Sequence, residues 1–349
     1  MIYIFASRIN SEAMKNLSIS AFLILILTIS GVYAQKQADN AGMESNDTVA
    51  TGEVKTTPSE IKRKVVVITG TRFAYPLVQK WIDTYNEANP DVQIVIEARG
   101  SADPQYDVLI EAYEQSEEIK KTREYAYIAR YAILPVANAQ STFAKTYSAK
   151  GLNRALINQL YFHDMFADSE KETKIKEPFT IYTRLQKAGA PIAFTKFFGF
   201  EQKDIKGKAI AGADEHLLKA IIRDSTGVSY LPLTLLYDHA TGKELSGITV
   251  LPVDLNGNDK VSNDEKFYRD LSSVINKIES ADAKELKNLP IEYLHLSVDK
   301  KNATPEAVSF LKWVMVNGQQ DLHLFGYLLP QTSKKEKEKF EQFANGKSK

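Results

Sequence analysis

The amino-acid sequence predicts an α/β fold of mostly parallel sheets with flanking helices. Val65-Val66-Val67-Ile68 is a continuous β-branched apolar run, the pattern of a strand buried on both faces. Leu77, Trp81 and Tyr85 then recur at four-residue spacing, one stripe of an amphipathic helix, and Val92, Ile94 and Ile96 alternate as a second strand. Strand, helix and strand within about thirty residues form the βαβ signature of a parallel sheet. The alternation of strand and helix patterns continues along the chain.

Taken in order, Thr69-Gly70-Thr71-Arg72 is the turn that leads the first strand into the first helix, and Asn89-Pro90 stops that helix. Val108-Leu109-Ile110 centres a third strand and residues 132–136 (AILPV) a further one. Helical patterns follow around residues 152–162 and 190–198. Ala209-Ile210 is a short apolar pair ahead of a helix over 215–223. Residues 228–231 and 248–251 read as strands, 266–278 as a helix and 291–298 as a strand. The last helix spans 305–316, with Thr304 as its cap and Pro305 at its first position. Residues 333–349 are rich in Lys and Glu and read as a solvated helix or frayed coil without an assigned function.

The 349 residues include 44 basic and 44 acidic side chains, for a formal charge of +0. That balance argues against a broad nucleic-acid or anionic-membrane footprint, so a charged ligand must be held by a local site. The absence of cysteine excludes disulfides, thiolate nucleophiles and Cys-type zinc sites. Met14-Lys15, the apolar run 21–29 (AFLILILTI), and Val32 and Ala34 at the −3 and −1 positions before Gln35 together predict a signal peptide, hence export to the periplasm. Residues 35–62 are polar, lack periodicity and read as a disordered tether.

In α/β sheets, ligands sit at strand C-termini on loops that open helices. Thr69-Gly70-Thr71-Arg72 offers hydroxyls, a glycine that admits close approach, a helix N-terminus and an Arg fork, a set suited to an anion. Gly100-Ser101 ends the second strand in the same way. Thr183-Arg184 ends an apolar stretch, and Ala188-Gly189-Ala190-Pro191 opens a helix, which leaves two local readings: a second N-terminal anion site, or a surface Arg before a helix. Residues 254–265 (DLNGNDKVSNDE) place oxygen donors as an EF-hand calcium loop does: Asp254, Asn256, Asn258, the Lys260 carbonyl, Ser262 and Glu265. Asp259 stands at its sixth position, where a positive φ and usually a glycine are required. The five histidines are scattered without metal spacing, and His295 and His323 are expected to pack. The chain carries no Ser-His-Asp signature, HExxH, Walker loop or GxGxxG, so no enzymatic activity is expected.

The stretch ITGTRFAYPLVQKWIDTYNEANPDVQIVIEARGS resembles the opening of PstS-like phosphate ABC transporter substrate-binding proteins. So, more thinly, do ILPVANAQ, YTRLQKAGAP, STGVSYLPL and AVSFLKWVMVNGQQDLHLFGYLLP. The calcium-like insert resembles that of a Bacteroidetes-type branch. The resemblance implies a two-lobed type II periplasmic-binding-protein fold, with residues 63–134 plus 252–331 as one lobe and 135–251 as the other. It implies phosphate or a related oxyanion held by Thr69, Thr71, Ser101 and Arg184, with Arg72 added, and an ABC transporter permease as partner to a monomer. Two loops depart from the family: Ser101 is followed within six residues by the next strand, and Leu185-Gln186-Lys187-Ala188-Gly189 replaces a Ser-Gly-Ser loop. Several hydroxyl donors are therefore missing. A ligand-free adhesion or sensory protein on the same fold is the alternative.

Overall fold

The chain is described by a computed structural model for residues 64–97, 105–163 and 175–346. The expected signal peptide, the tether and Ser101 lie outside these residues. The strands are β1 (Lys64–Gly70), β2 (Val92–Ile96), β3 (Val108–Glu111), β4 (Arg123–Asn138), β5 (Thr180–Arg184), β6 (Lys208–Ile210), β7 (Gly227–Pro232), β8 (Ile248–Val250) and β9 (Ile291–Asp299). The α-helices are α1 (Tyr75–Ala88), α2 (Glu117–Thr122), α3 (Thr142–Lys150), α4 (Arg154–Tyr161), α5 (Gly189–Phe198), α6 (Asp214–Arg223), α7 (Leu271–Ser280), α8 (Pro305–Asn317) and α9 (Lys334–Ala344).

The sheet order is β2-β1-β3-β9-β4-β7-β5-β6, with β8 beside β4. The parallel pairing expected from βαβ units holds in the two wings, β2-β1-β3 and β7-β5-β6. Around β4 and β9 the pairing is antiparallel. The reason is β4 itself. It runs for 16 residues, far beyond the five expected, and its first part pairs with β9 while its last part pairs with β7 and β8. One strand thus crosses between two halves of the molecule, and charged Arg123, Glu124 and Arg130 had hidden its extent.

Burial explains the rest. In β1, Val66 and Ile68 are buried but Val65 is 56 % exposed, so cover on both faces is reached only at Ile68 and Thr69. In α1, Leu77, Val78, Trp81, Ile82 and Tyr85 form the buried stripe, and the Trp81 indole N–H donates to the Gly318 carbonyl at 2.9 Å. The other half is filled by aromatic rings, with Phe194 stacked on Tyr230 at 4.2 Å between centroids and Phe162 stacked on Phe200 at 4.3 Å.

Three helical expectations change. α7 starts at Leu271, not at 266, because the Asp270 side chain caps it by accepting from the Ser273 N–H at 2.8 Å. α3, capped by Ser141, was not anticipated. The charged tail is neither frayed nor fully solvated: α9 opens with a Ser333–Glu336 capping box and buries Phe340, and Lys312 donates to its Ala344 carbonyl at 3.1 Å. No described helix is long and apolar enough to cross a membrane.

A candidate anion-binding cleft

β1 ends at Gly70, whose φ of +134° and whose Cβ position, 2.2 Å from the Ile110 carbonyl oxygen, permit only glycine. The Thr71 N–H donates to that same carbonyl at 3.0 Å, so the sheet consumes this amide. The chain then turns through the short 3-10 segment Arg72–Ala74 into α1. Thr71 and Arg72 line a cleft of about 530 Å³. Thr69 does not line it; it is fully buried behind the wall, and its hydroxyl has no hydrogen-bond partner among the described residues.

The facing wall comes from the other half of the sheet. Arg184 ends β5, and Gln186, Lys187, Ala188 and Gly189 carry the chain into α5. Gly212 and Asp214 bring in the start of α6. Ala188 precedes α5 and gives it no side-chain cap, whereas at α6 the Ala213 N–H donates to the His216 Nδ1 at 3.1 Å. The Gly189 and Ala190 amides that open α5 are the kind of donors that bind anions, reinforced by the helix dipole; Pro191 has none to offer. The loop after Arg184 is braced by amides: Gln202 donates to the Arg184 and Gln186 carbonyls at 3.2 and 3.0 Å. Gln186 in turn accepts from the Gly212 N–H at 3.1 Å.

Two carboxylates temper this positive surface. Asp214 sits 3.1 Å from the Arg184 guanidinium, and both side chains are largely buried. Burial raises the Asp214 pKa to about 6, although Arg184 pulls it down. Among the described residues the Arg184 Nε has no hydrogen-bond partner of its own. Glu111, at the end of β3, lines the cleft as well and accepts from the Ser297 hydroxyl. The arrangement can donate to an oxyanion from Arg184 and the start of α5, and accept from a hydroxyl on that ligand at Asp214 or Glu111. No histidine lines the cleft. His295 is buried among Tyr125 and Tyr127, as expected, whereas His323 is about half exposed and pairs with Glu279 at 3.1 Å.

The halves touch at the cleft floor. A Cβ on Gly189 would lie 2.5 Å from the Ala112 Cβ just beyond β3, and the Ala112 carbonyl accepts from the Tyr131 hydroxyl of β4.

Of the residues expected from sequence, Thr71, Arg72 and Arg184 come together, Thr69 stands behind them, and Ser101 is outside the described residues. Asp214, Glu111, Gln186 and Lys187 were not singled out. Asp214 was legible in principle as an acidic residue at the first position of a helix that follows Gly212-Ala213. In the 254–265 loop, Asp254 accepts from the Gly257, Asn258 and Asp259 amides at 2.8 to 3.1 Å, and Glu265 accepts from the Leu255 and Ser262 amides at 2.8 and 2.7 Å. Among the described residues, no three His, Cys, Asp or Glu side chains gather as a metal cluster.

No protein-family model matches the chain. No curated protein matches it either. Solved structures do. A protein from Clostridium perfringens described as a phosphate ABC transporter substrate-binding protein, with bound phosphate, aligns at a TM-score of 0.56 and 14 % identity, over 77 % of this chain and 100 % of that one. An ABC-type phosphate transport receptor from Vibrio cholerae aligns at a TM-score of 0.51 and 11 % identity, over 76 % and 100 %. At such identity the likeness establishes the fold: mixed α/β, two-lobed, of the periplasmic-binding-protein type.

Proposed function

We propose that the chain is an extracytoplasmic solute-binding protein that captures phosphate or a related oxyanion and presents it to an ABC transporter permease. The observation that carries this reading is the convergence of Arg184 with the uncapped N-terminus of α5 and with the start of α6 on a cleft between the halves of a binding-protein fold. Arg184 supplies a bidentate fork and the helix amides supply fixed donors, which cost no reorganisation when the ligand arrives. Arg72 adds charge from the opposite wall. Lobes of residues 63–134 plus 252–331 and of 135–251 would close about β4 and the return segment. The solved neighbours named as phosphate-binding proteins support the reading at the level of fold.

The test is thermal unfolding of dialysed protein with phosphate and sulfate added singly. A ligand that binds only the native state raises the midpoint by mass action. A rise with phosphate that Arg184→Ala removes is expected. A second reading, a sensory or adhesive protein that has lost its ligand, draws on Arg184 being already paired with Asp214 and on Glu111 in the same cleft. Unchanged midpoints with both oxyanions would favour it.

A further inference from the structure

We propose that residues 254–265 bind a calcium ion that fastens the return crossing of the chain, a site separate from the cleft. The sequence supplies the donor pattern: Asp254, Asn256, Asn258, the Lys260 carbonyl, Ser262 and Glu265 at positions 1, 3, 5, 7, 9 and 12. Only two of these six are carboxylates, so the loop is not a cluster of acidic side chains.

The structure adds an observation independent of that pattern. Asp254 is 0 % and Glu265 is 4 % exposed, yet the partners of both carboxylates among the described residues are main-chain amides and the Ser262 hydroxyl. Among the described residues no Lys, Arg or His pairs with either. Hydrogen bonds satisfy the oxygens, but they leave two buried negative charges without an opposite charge, and buried charges are paired or coordinate metals. A cation between the ends of the loop would supply that charge. The backbone agrees: Asp259, at the sixth position, has a φ of +67°, and among the described residues no other non-glycine residue has a positive φ.

The donor chemistry selects the ion. All donors are oxygens, with amide and main-chain oxygens among them, which suits a hard cation with six to eight ligands. Zinc prefers nitrogen and sulfur, and magnesium demands a tighter octahedron and keeps its water.

The surroundings show what the ion would brace. On one side, the Leu152 N–H donates to the Pro252 carbonyl at 2.8 Å, and the Asp254 N–H to the Leu152 carbonyl at 2.9 Å. Val261 seats on Gly151, where a Cβ would come within 2.2 Å of its Cγ2. These contacts hold the loop to the link between α3 and α4. On the other side, Asn288, just ahead of β9, donates from its side chain to the Asp254 carbonyl at 3.0 Å and from its amide to the Leu255 carbonyl at 2.9 Å.

The experiment is calorimetric titration of the chelator-treated, dialysed full chain with calcium alone and with magnesium alone, alongside thermal unfolding. Extracellular calcium modules bind at about 0.1–1 mM, so the titration runs to about 10 mM. Expected are one calcium per chain in that affinity range, at least about tenfold weaker magnesium, and an unfolding midpoint that rises with calcium. Asn258→Ala removes an exposed donor without disturbing the core and is expected to weaken calcium at least about tenfold. Glu265→Gln is expected to abolish it. Absence of binding heat and of any midpoint shift at about 10 mM calcium in the unmodified chain would overturn the site, as would binding left unchanged by both substitutions.

Discussion

Asp214 is the residue on which the electrostatics of the cleft turn. Its folded pKa of about 6 lies above the unfolded value of about 3.9, so the folded protein holds this proton more tightly. The stability it contributes is complete below about pH 4 and is lost as pH rises through about 6, where the buried carboxylate must ionise. Asp214→Asn keeps the shape and stays neutral. It is expected to stabilise the ligand-free protein by about 1–3 kcal/mol at pH 8, and by little at pH 4, in denaturant titrations. An oxyanion bound beside Asp214 raises that pKa further, so binding takes up a proton. Oxyanion affinity is then expected to fall above pH 6 in the unmodified protein, and the ratio of variant to unmodified affinity to grow with pH by up to about tenfold per unit. A constant ratio between pH 5.5 and 8.5 would show that Asp214 and the anion do not interact. Arg184 was reached through the family resemblance of YTRLQKAGAP, since an Arg ahead of a helix-opening Gly-Ala-Pro reads locally as a surface side chain. Asp214 offered only a helix-opening acid, and Glu111 no local signature, since their importance lies in burial and in a partner 30 residues away for Asp214 and 186 for Glu111.

At the scale of elements, α5 shows how a helix start becomes a contact between halves. Gly189 lies where any side chain meets Ala112 across the cleft floor. Gly189→Ala therefore wedges the halves rather than disturbing either core. Oxyanion affinity is expected to drop about tenfold, equivalent to about 1.4 kcal/mol, while the unfolding midpoint of the ligand-free protein stays put. A parallel fall in that midpoint would mean that the contact stabilises the fold itself. α9 makes the opposite case. Phe340 is 1 % exposed and is the buried anchor of an otherwise charged helix. Phe340→Ala is expected to cost about 3 kcal/mol in urea titrations, the low end of such truncations because a terminal helix can detach and relax. The sequence showed the wing strands and α1 plainly, since their periodicity is local. It hid α9 and most of β4, since one aromatic among lysines and glutamates, or a strand edged with arginines, finds its meaning only in what packs against it.

At the scale of the molecule, zero net charge leaves no long-range field to draw in an anion, so capture must come from the cleft and from movement around it. The two halves are joined by β4 and by the return segment after β8, and they meet at Gly189 and Ala112. In the ligand-free protein the carboxylates of Asp214 and Glu111 face the same cleft as Arg72, Arg184 and Lys187 and offset part of their charge. A bound oxyanion adds negative charge between Arg72 on one wall and Arg184 and Lys187 on the other, and so favours the closed form. Saturating phosphate is thus expected to lower the radius of gyration measured by small-angle X-ray scattering. Tryptophan emission should hardly change, because Trp81 and Trp313 both lie in the half built on β1 and α8, away from the cleft. If phosphate binds by calorimetry but the radius of gyration does not move, the halves are already closed before the ligand arrives. The cleft would then be a preformed receptor that exchanges its anion without hinge motion.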